Sequence, residues 1–92
     1  MAKYEDDQTI REIESRIDIV EYISESVTLS RKGNNYWGLC PFHPEKTPSF
    51  SVSRDKQMFY CFGCHAGGNI FSFVMKKDGL DFKDALEILA AK

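Results

Sequence analysis

The chain of 92 residues is 42% hydrophobic and 28% charged, the balance of one small globular domain and not of a disordered, collagen-like or coiled-coil protein. Its apolar runs are far shorter than a membrane span, and its acidic opening, MAKYEDDQTI, lacks the apolar stretch of a secretory signal. The net charge of −2 is segregated: residues 1–30 carry three basic against eight acidic side chains, residues 31–60 five against two, and residues 61–92 four of each.

Thr9 followed by Glu12 fits a capping box, and Ile10, Ile13 and Ile17 recur at helical spacing, which predicts a helix over 9–16. Asp18 with Glu21 repeats the cap and Val20, Ile23 and Val27 continue the stripe, so a second helix is expected over 19–25, with one bent helix as the alternative. From Val27 the period falls to two. Val27 and Leu29 alternate with Thr28 and Ser30, Gly33 to Asn35 make a turn, and 36–39 returns as a strand. Residues 50–53 alternate again, Arg54 to Gln57 form a polar turn, and 58–61 pair back. After Gly67 and Gly68, Asn69 caps a helix carrying Ile70, Phe73 and Val74 that Gly79 ends, and Asp81 caps a last helix through Leu86 and Leu89. The fold class is α+β: a small antiparallel sheet over 27–64, flanked by an N-terminal helical scaffold over 9–25 and C-terminal helices over 69–91. The whole of 1–92 is read as a single domain. It stops at Ala90-Ala91-Lys92 in helix-forming residues and is expected to be a fragment of a longer chain.

So short a chain often needs a staple, and three cysteines without a secretory signal point to a metal in a reducing compartment. Cys40-Pro41-Phe42-His43 and Cys61-Phe62-Gly63-Cys64 are two knuckles of equal length, 17 residues apart. Two such turns at the ends of hairpins give a closed tetrahedral site of three thiolates and one imidazole, which selects zinc in a structural role. Pro41 stiffens the first knuckle, and Gly63 is expected to take a positive φ in the second. His65 competes as fourth ligand, but it directly follows Cys64, where side chains diverge, which favours His43. A redox pair at Cys61 and Cys64 would require a βαβ setting that the surrounding hairpins do not supply.

Tyr36, Trp37, Phe50, Phe59 and Tyr60 fall on the strands, between turns that carry Lys32, Lys46, Arg54 and Lys56. Alternation sends one of each adjacent aromatic pair outward. Tyr36 and Tyr60 are expected outside, because a phenol tolerates water, with Trp37 and Phe59 inside. Outward rings beside cations form a platform for unstacked bases, so the pattern favours single-stranded nucleic acid, on a face away from the metal. A solvated basic face is the plainer alternative.

The run from Tyr36 through Cys40-Pro41-Phe42-His43-Pro44-Glu45-Lys46-Thr47-Pro48-Ser49 to Val52, with Tyr60-Cys61-Phe62-Gly63-Cys64 and Gly67-Gly68-Asn69, resembles the N-terminal zinc-binding domain of bacterial DNA primases over nearly the whole chain. The resemblance implies a zinc ribbon with one structural zinc on Cys40, His43, Cys61 and Cys64. It implies a sheet face that binds single-stranded template and helps select the start site, with Lys46 and Lys56 as contacts. The catalytic domain that makes the RNA primer with magnesium, and the link to a replicative helicase at a cytoplasmic bacterial replication fork, would belong to the parent protein. This fragment is then not itself an enzyme; whether it acts with its own catalytic domain or a neighbour's is left open. Two positions depart from the family pattern: Asn34 stands where a basic residue is frequent and His65 where glycine is frequent. The rival reading is a zinc-stabilised module that docks a protein and never touches DNA.

Overall fold

The computed structural model describes residues 7–44 and 46–92. Helix α1 spans Asp7–Arg16. It begins upstream of Thr9, so Thr9 lies inside the helix and does not cap it, and the residues that would cap it lie outside those described. Helix α2, Ile19–Ser24, is separate, because the Asp18 carboxylate accepts the Glu21 N–H at 3.1 Å and restarts the backbone there. The Val27 N–H donates to the Ile23 carbonyl at 2.8 Å to close α2. That commitment delays strand β1 to Ser30–Lys32, three residues beyond the expected start.

Gly33, with φ 65°, takes the first place of a two-residue turn of the type II′ kind, and β2 returns over Asn35–Gly38. Strands β3, Phe50–Ser53, and β4, Met58–Cys61, stand where the sequence places them. A fifth strand, β5 over Gly67–Gly68, adds an edge that the sequence did not suggest. The five strands form one antiparallel meander in the order β1-β2-β3-β4-β5. Helix α3, Ile70–Asp78, starts at Asn69, which accepts the Ser72 N–H, and ends at Gly79 in the left-handed region with φ 66°. Helix α4, Phe82–Ala90, starts at Asp81, which accepts the Asp84 N–H at 2.9 Å.

The register decides which way each aromatic points. Tyr36 pairs with Val52 and Val52 with Phe59, and these three share the face that meets the helices. Trp37 pairs with Ser51 and Ser51 with Tyr60 on the opposite face. The expectation is therefore met for Tyr60 and Phe59 and reversed for Tyr36 and Trp37. Gly38 explains the reversal. A Cβ there would meet the Thr28 carbonyl oxygen at 2.5 Å and the Leu29 and Val27 side chains near 3.1 and 3.2 Å. The chain leaving α2 presses onto that position, so Gly38 faces the core and its neighbour Trp37 must face away.

Under the inner face, Phe50, Phe59 and Phe73 pack with ring centroids 5.6–6.3 Å apart, and Phe42 from the first knuckle joins them at 5.6–6.1 Å. Ile13, Ile19, Ile23, Leu86 and Leu89 complete the core from three helices.

A polar latch fastens α2 to the β3–β4 turn. Arg54 donates from Nε and Nη2 to both Asp18 oxygens at 3.0–3.2 Å, and from Nη1 to the Tyr36 hydroxyl at 3.1 Å. Gln57, at φ 53°, donates to Asp18 at 3.0 Å and accepts the Ile19 N–H at 2.8 Å. Partial burial alone would raise the Asp18 pKa, but the hydrogen bonds from Arg54, Gln57 and the Glu21 N–H outweigh it and hold the group below its ordinary 3.8. The folded state then binds fewer protons than the unfolded one, so this contribution is complete above the unfolded value and is lost as pH falls through the folded value. Asp18→Ala, which removes the cap and both anchors, should destabilise the protein by about 1–2 kcal/mol at neutral pH. Urea melts of the two proteins should converge as the pH is taken below about 4.

Candidate metal centre and the adjoining sheet face

Cys40 follows β2 by two residues, and Cys61 ends β4, so the meander delivers both knuckles to the same end of the sheet. One donor atom from each of Cys40, His43, Cys61 and Cys64 lies within 4.8 Å of all the others. The Cys40 and Cys64 sulfurs are 3.8 Å apart, and Cys61 Sγ is 3.5 Å from His43 Nε2. A tetrahedron with zinc–sulfur bonds of about 2.3 Å and a zinc–nitrogen bond of about 2.0 Å has edges of about 3.8 Å and 3.5 Å, so these two separations match a zinc site and the remaining donors lie close enough to complete it. With zinc bound, His43 Nδ1–H would donate to the Pro44 carbonyl oxygen 3.3 Å away and the Nε2 lone pair would face the ion.

Local backbone shapes the ligands. The Phe42 N–H approaches Cys40 Sγ at 3.4 Å. The second knuckle is closed by the His65 N–H donating to the Cys61 carbonyl at 2.7 Å, and the positive φ that this turn needs falls on His65, at 65°, and not on Gly63. His65 stays outside the donor cluster, its Nδ1 2.8 Å from the Tyr60 hydroxyl. Burial pushes the Cys40 thiol up to about 12. Burial acts in the same sense on Cys61, but the hydrogen bonds from His43 and from the Cys64 and Gly63 N–H groups prevail and bring it down to about 6. Thiolates packed this closely repel one another, and a cation among them offsets that repulsion. Zinc bound here would supply that charge and cross-link the ends of β2 and β4.

The centre of each knuckle holds a phenylalanine, with opposite fates. Phe42 enters the aromatic core. Phe62, 60% exposed, lies on the outer face, stacked on Trp37 at 5.8 Å and edge-on to Tyr60 at 4.9 Å. Leu39, Met58 and Tyr60 are also 39–48% exposed, so among the described residues four of the five large exposed apolar side chains gather around the sheet and the second knuckle. Residues 39, 42 and 62 were not singled out from the sequence, although their place beside or inside the two ligand pairs is itself a signal.

The expected contact residues divide. Lys32, Lys46 and Lys56 are exposed, with Lys32 and Lys56 bordering hollows on the outer face. Tyr60 lies on that face. Arg54 and Tyr36 are tied into the latch, with Tyr36 packed on the core side.

A five-stranded antiparallel meander that brings two Cys/His knuckles to one tetrahedral site defines a zinc ribbon. The family model of the CHC2 zinc finger matches residues 5–92, and the chain belongs to that family. It is 58% identical over 86 residues to a DNA primase of Geobacillus stearothermophilus, covering 94% of this chain and 14% of that protein. It is 57% identical over 81 residues to a DNA primase of Pseudomonas putida, covering 88% of this chain and 12% of the relative. The chain thus spans about one seventh of the length of the curated relatives it matches. A crystal structure of the Aquifex aeolicus primase, comprising zinc-binding and RNA polymerase domains, superposes with a TM-score of 0.85 at 46% identity, covering 90% of this chain and 21% of that one. Among the described residues, no helix is long and apolar enough to cross a membrane.

Structural zinc contributes on the order of 10 kcal/mol in small modules, as much as the whole stability of a domain, about 5–10 kcal/mol. Cys64 is exposed, so Cys64→Ala opens no cavity in the core. Even so, this substitution or chelation should abolish the cooperative thermal transition of the sheet followed by circular dichroism. Cobalt in place of zinc should give the visible absorption of a tetrahedral thiolate site in the wild type and lose it in Cys64→Ala.

Proposed function

We propose that this chain is the template-binding zinc module of a DNA primase: its outer sheet face binds single-stranded DNA and helps select where primer synthesis starts. The observation that carries this reading is the uncovered face itself. Trp37, Tyr60 and Phe62 stand together there, Lys32 and Lys56 lie at its margins, and among the described residues no carboxylate lines the hollow beside Tyr60 or the one beside Trp37, Glu14 entering only a third hollow at the far side of Lys56. Rings of this kind stack bases, and ammonium groups meet the phosphates between them. Membership of the CHC2 family and the likeness to DNA primases support the same reading.

Lys32, Lys46 and Lys56 are assigned to phosphates and Tyr60 to stacking, with Trp37 in the place first given to Tyr36. Arg54 is committed to Asp18 and serves the scaffold. Nucleotide joining, with magnesium, belongs to a catalytic domain of the parent protein, supplied in cis or in trans, and the replicative helicase is a partner of that larger protein.

Each lysine on a phosphate releases counterions, so Lys56→Ala or Lys46→Ala should weaken all strands alike and reduce the salt slope by about 0.7. Tyr60→Ala should cost about 1–3 kcal/mol with the slope unchanged. Fluorescence anisotropy of a labelled single strand at several salt concentrations measures both. A face that instead docked a protein through its apolar rings would give no strand binding in the wild type, and the proposal would fall.

A further inference from the structure

The outer face is not one platform. Its central row runs Ser30, Trp37, Ser51, Tyr60, Gly67 across the five strands. Ser51 is small, and Phe62 leans over from the second knuckle to stack on Trp37, forming a ridge. Phe62 walls one hollow of about 600 Å³, and Trp37 walls another of about 850 Å³. Both volumes fall within the range of small-molecule sites, ~300–1,000 Å³.

The two hollows differ in chemistry. The first lies over β3 to β5 and reaches the start of β2; it is lined by Asn35, Ser51, Ser53, Tyr60 and His65, with Lys56 at its rim. Among the described residues, neither the Asn35 amide nor the Ser51 hydroxyl has a side-chain hydrogen bond within the protein; Asn35 is half-buried at the side of the hollow and Ser51, 7% exposed, forms its floor. An amide and a hydroxyl present donors and acceptors together, which is what the edge of a nucleobase displays. Gly67 keeps the hollow open, because a Cβ there would stand 2.9 Å from the Tyr60 ring. The second hollow lies over β1 and β2 and is walled by Trp37, Leu39 and Pro48, with Lys32 and Arg31 beside them. Arg31 already gives its Nε–H to the Gly33 carbonyl at 3.2 Å, which leaves Lys32 as the freer cation. Apolar walls with a cation bind any base alike, because every base has a π face.

We infer that the Trp37–Phe62 ridge divides the strand-binding face into two unequal subsites: a polar hollow in which the Asn35 amide and Ser51 hydroxyl read the edge of one base, and an apolar hollow that takes another nucleotide of the same strand by stacking on Trp37 and by the charge of Lys32. This rests on the single-strand reading above and assigns its base selectivity to one side of the ridge. Asn35 and Ser51 are specificity-determining residues, and Trp37 is an affinity residue.

The test uses the zinc-loaded chain and labelled thymidine 12-mers carrying one dA, dC or dG at each position in turn, with anisotropy as the readout. The wild type should prefer one base at one position by about tenfold. Asn35→Ala and Ser51→Ala should each compress that preference while leaving the salt slope unchanged. Trp37→Leu should weaken every oligonucleotide by about tenfold and preserve the preference. The cobalt spectrum shows that each variant keeps the metal centre. A wild type that binds strands without base preference, variants of Asn35 and Ser51 that both keep it, or a Trp37 variant that alters it would overturn the two-subsite assignment and leave strand binding standing. A wild type that binds none of the oligonucleotides, even at low salt, would remove the functional reading and this inference with it.

Discussion

One constraint organises the molecule: two turns, far apart in sequence, must bring four donor atoms within reach of a single ion. Meeting it fixes the ends of β2 and β4, and through them the β3 between. The first knuckle then carries Phe42 into a four-ring cluster with Phe50, Phe59 and Phe73, so the metal end and the hydrophobic core are mechanically one unit. The second knuckle leaves Phe62 outside, against Trp37 and Tyr60. A single clamp thus sets both the inner packing and the outer relief of the sheet.

The opposite end of the sheet is held by different chemistry. Asp18 caps α2 and receives Arg54 and Gln57 from the β3–β4 turn, closing a loop of contact between residues more than thirty positions apart. An exposed ion pair alone contributes little. Here the carboxylate also meets a helix N–H and an amide, and the Gln57 side-chain oxygen Oε1 accepts the first N–H of the same helix, so the turn and the helix share their unsatisfied groups. That assignment changes the meaning of the basic stretch: one of its five cations belongs to the scaffold.

Local signals were legible in the sequence. Equal knuckle spacing gave the donor set, and Asp18, Asn69, Asp81 and Gly79 all mark helix ends in the structure. What failed was whatever depends on a partner segment. Thr9 and Glu12 have the form of a cap, but the helix starts earlier. Strand alternation at Tyr36 and Trp37 has two solutions, and solubility of the phenol chose the wrong one. Counting back in twos from Cys40, through Gly38 to Tyr36, would have put Tyr36 on the ligand side of the sheet, and the lack of a side chain at 38 marks where the 27–29 segment crosses. The edge strand at Gly67–Gly68 has no side chains to announce it, and the positive φ of the second knuckle moved from the glycine to His65 because the closing hydrogen bond is made there.

Phe62 lies between two metal ligands, so the ridge it forms is as well placed as the ion makes it. Coupling of this kind is reciprocal. If the ion raises the affinity of the face for a strand by some factor, the strand must raise the affinity for the ion by the same factor. Under that condition a strand on this face would hold the zinc more firmly in place, and chelators or competing metals would act chiefly on the unoccupied population.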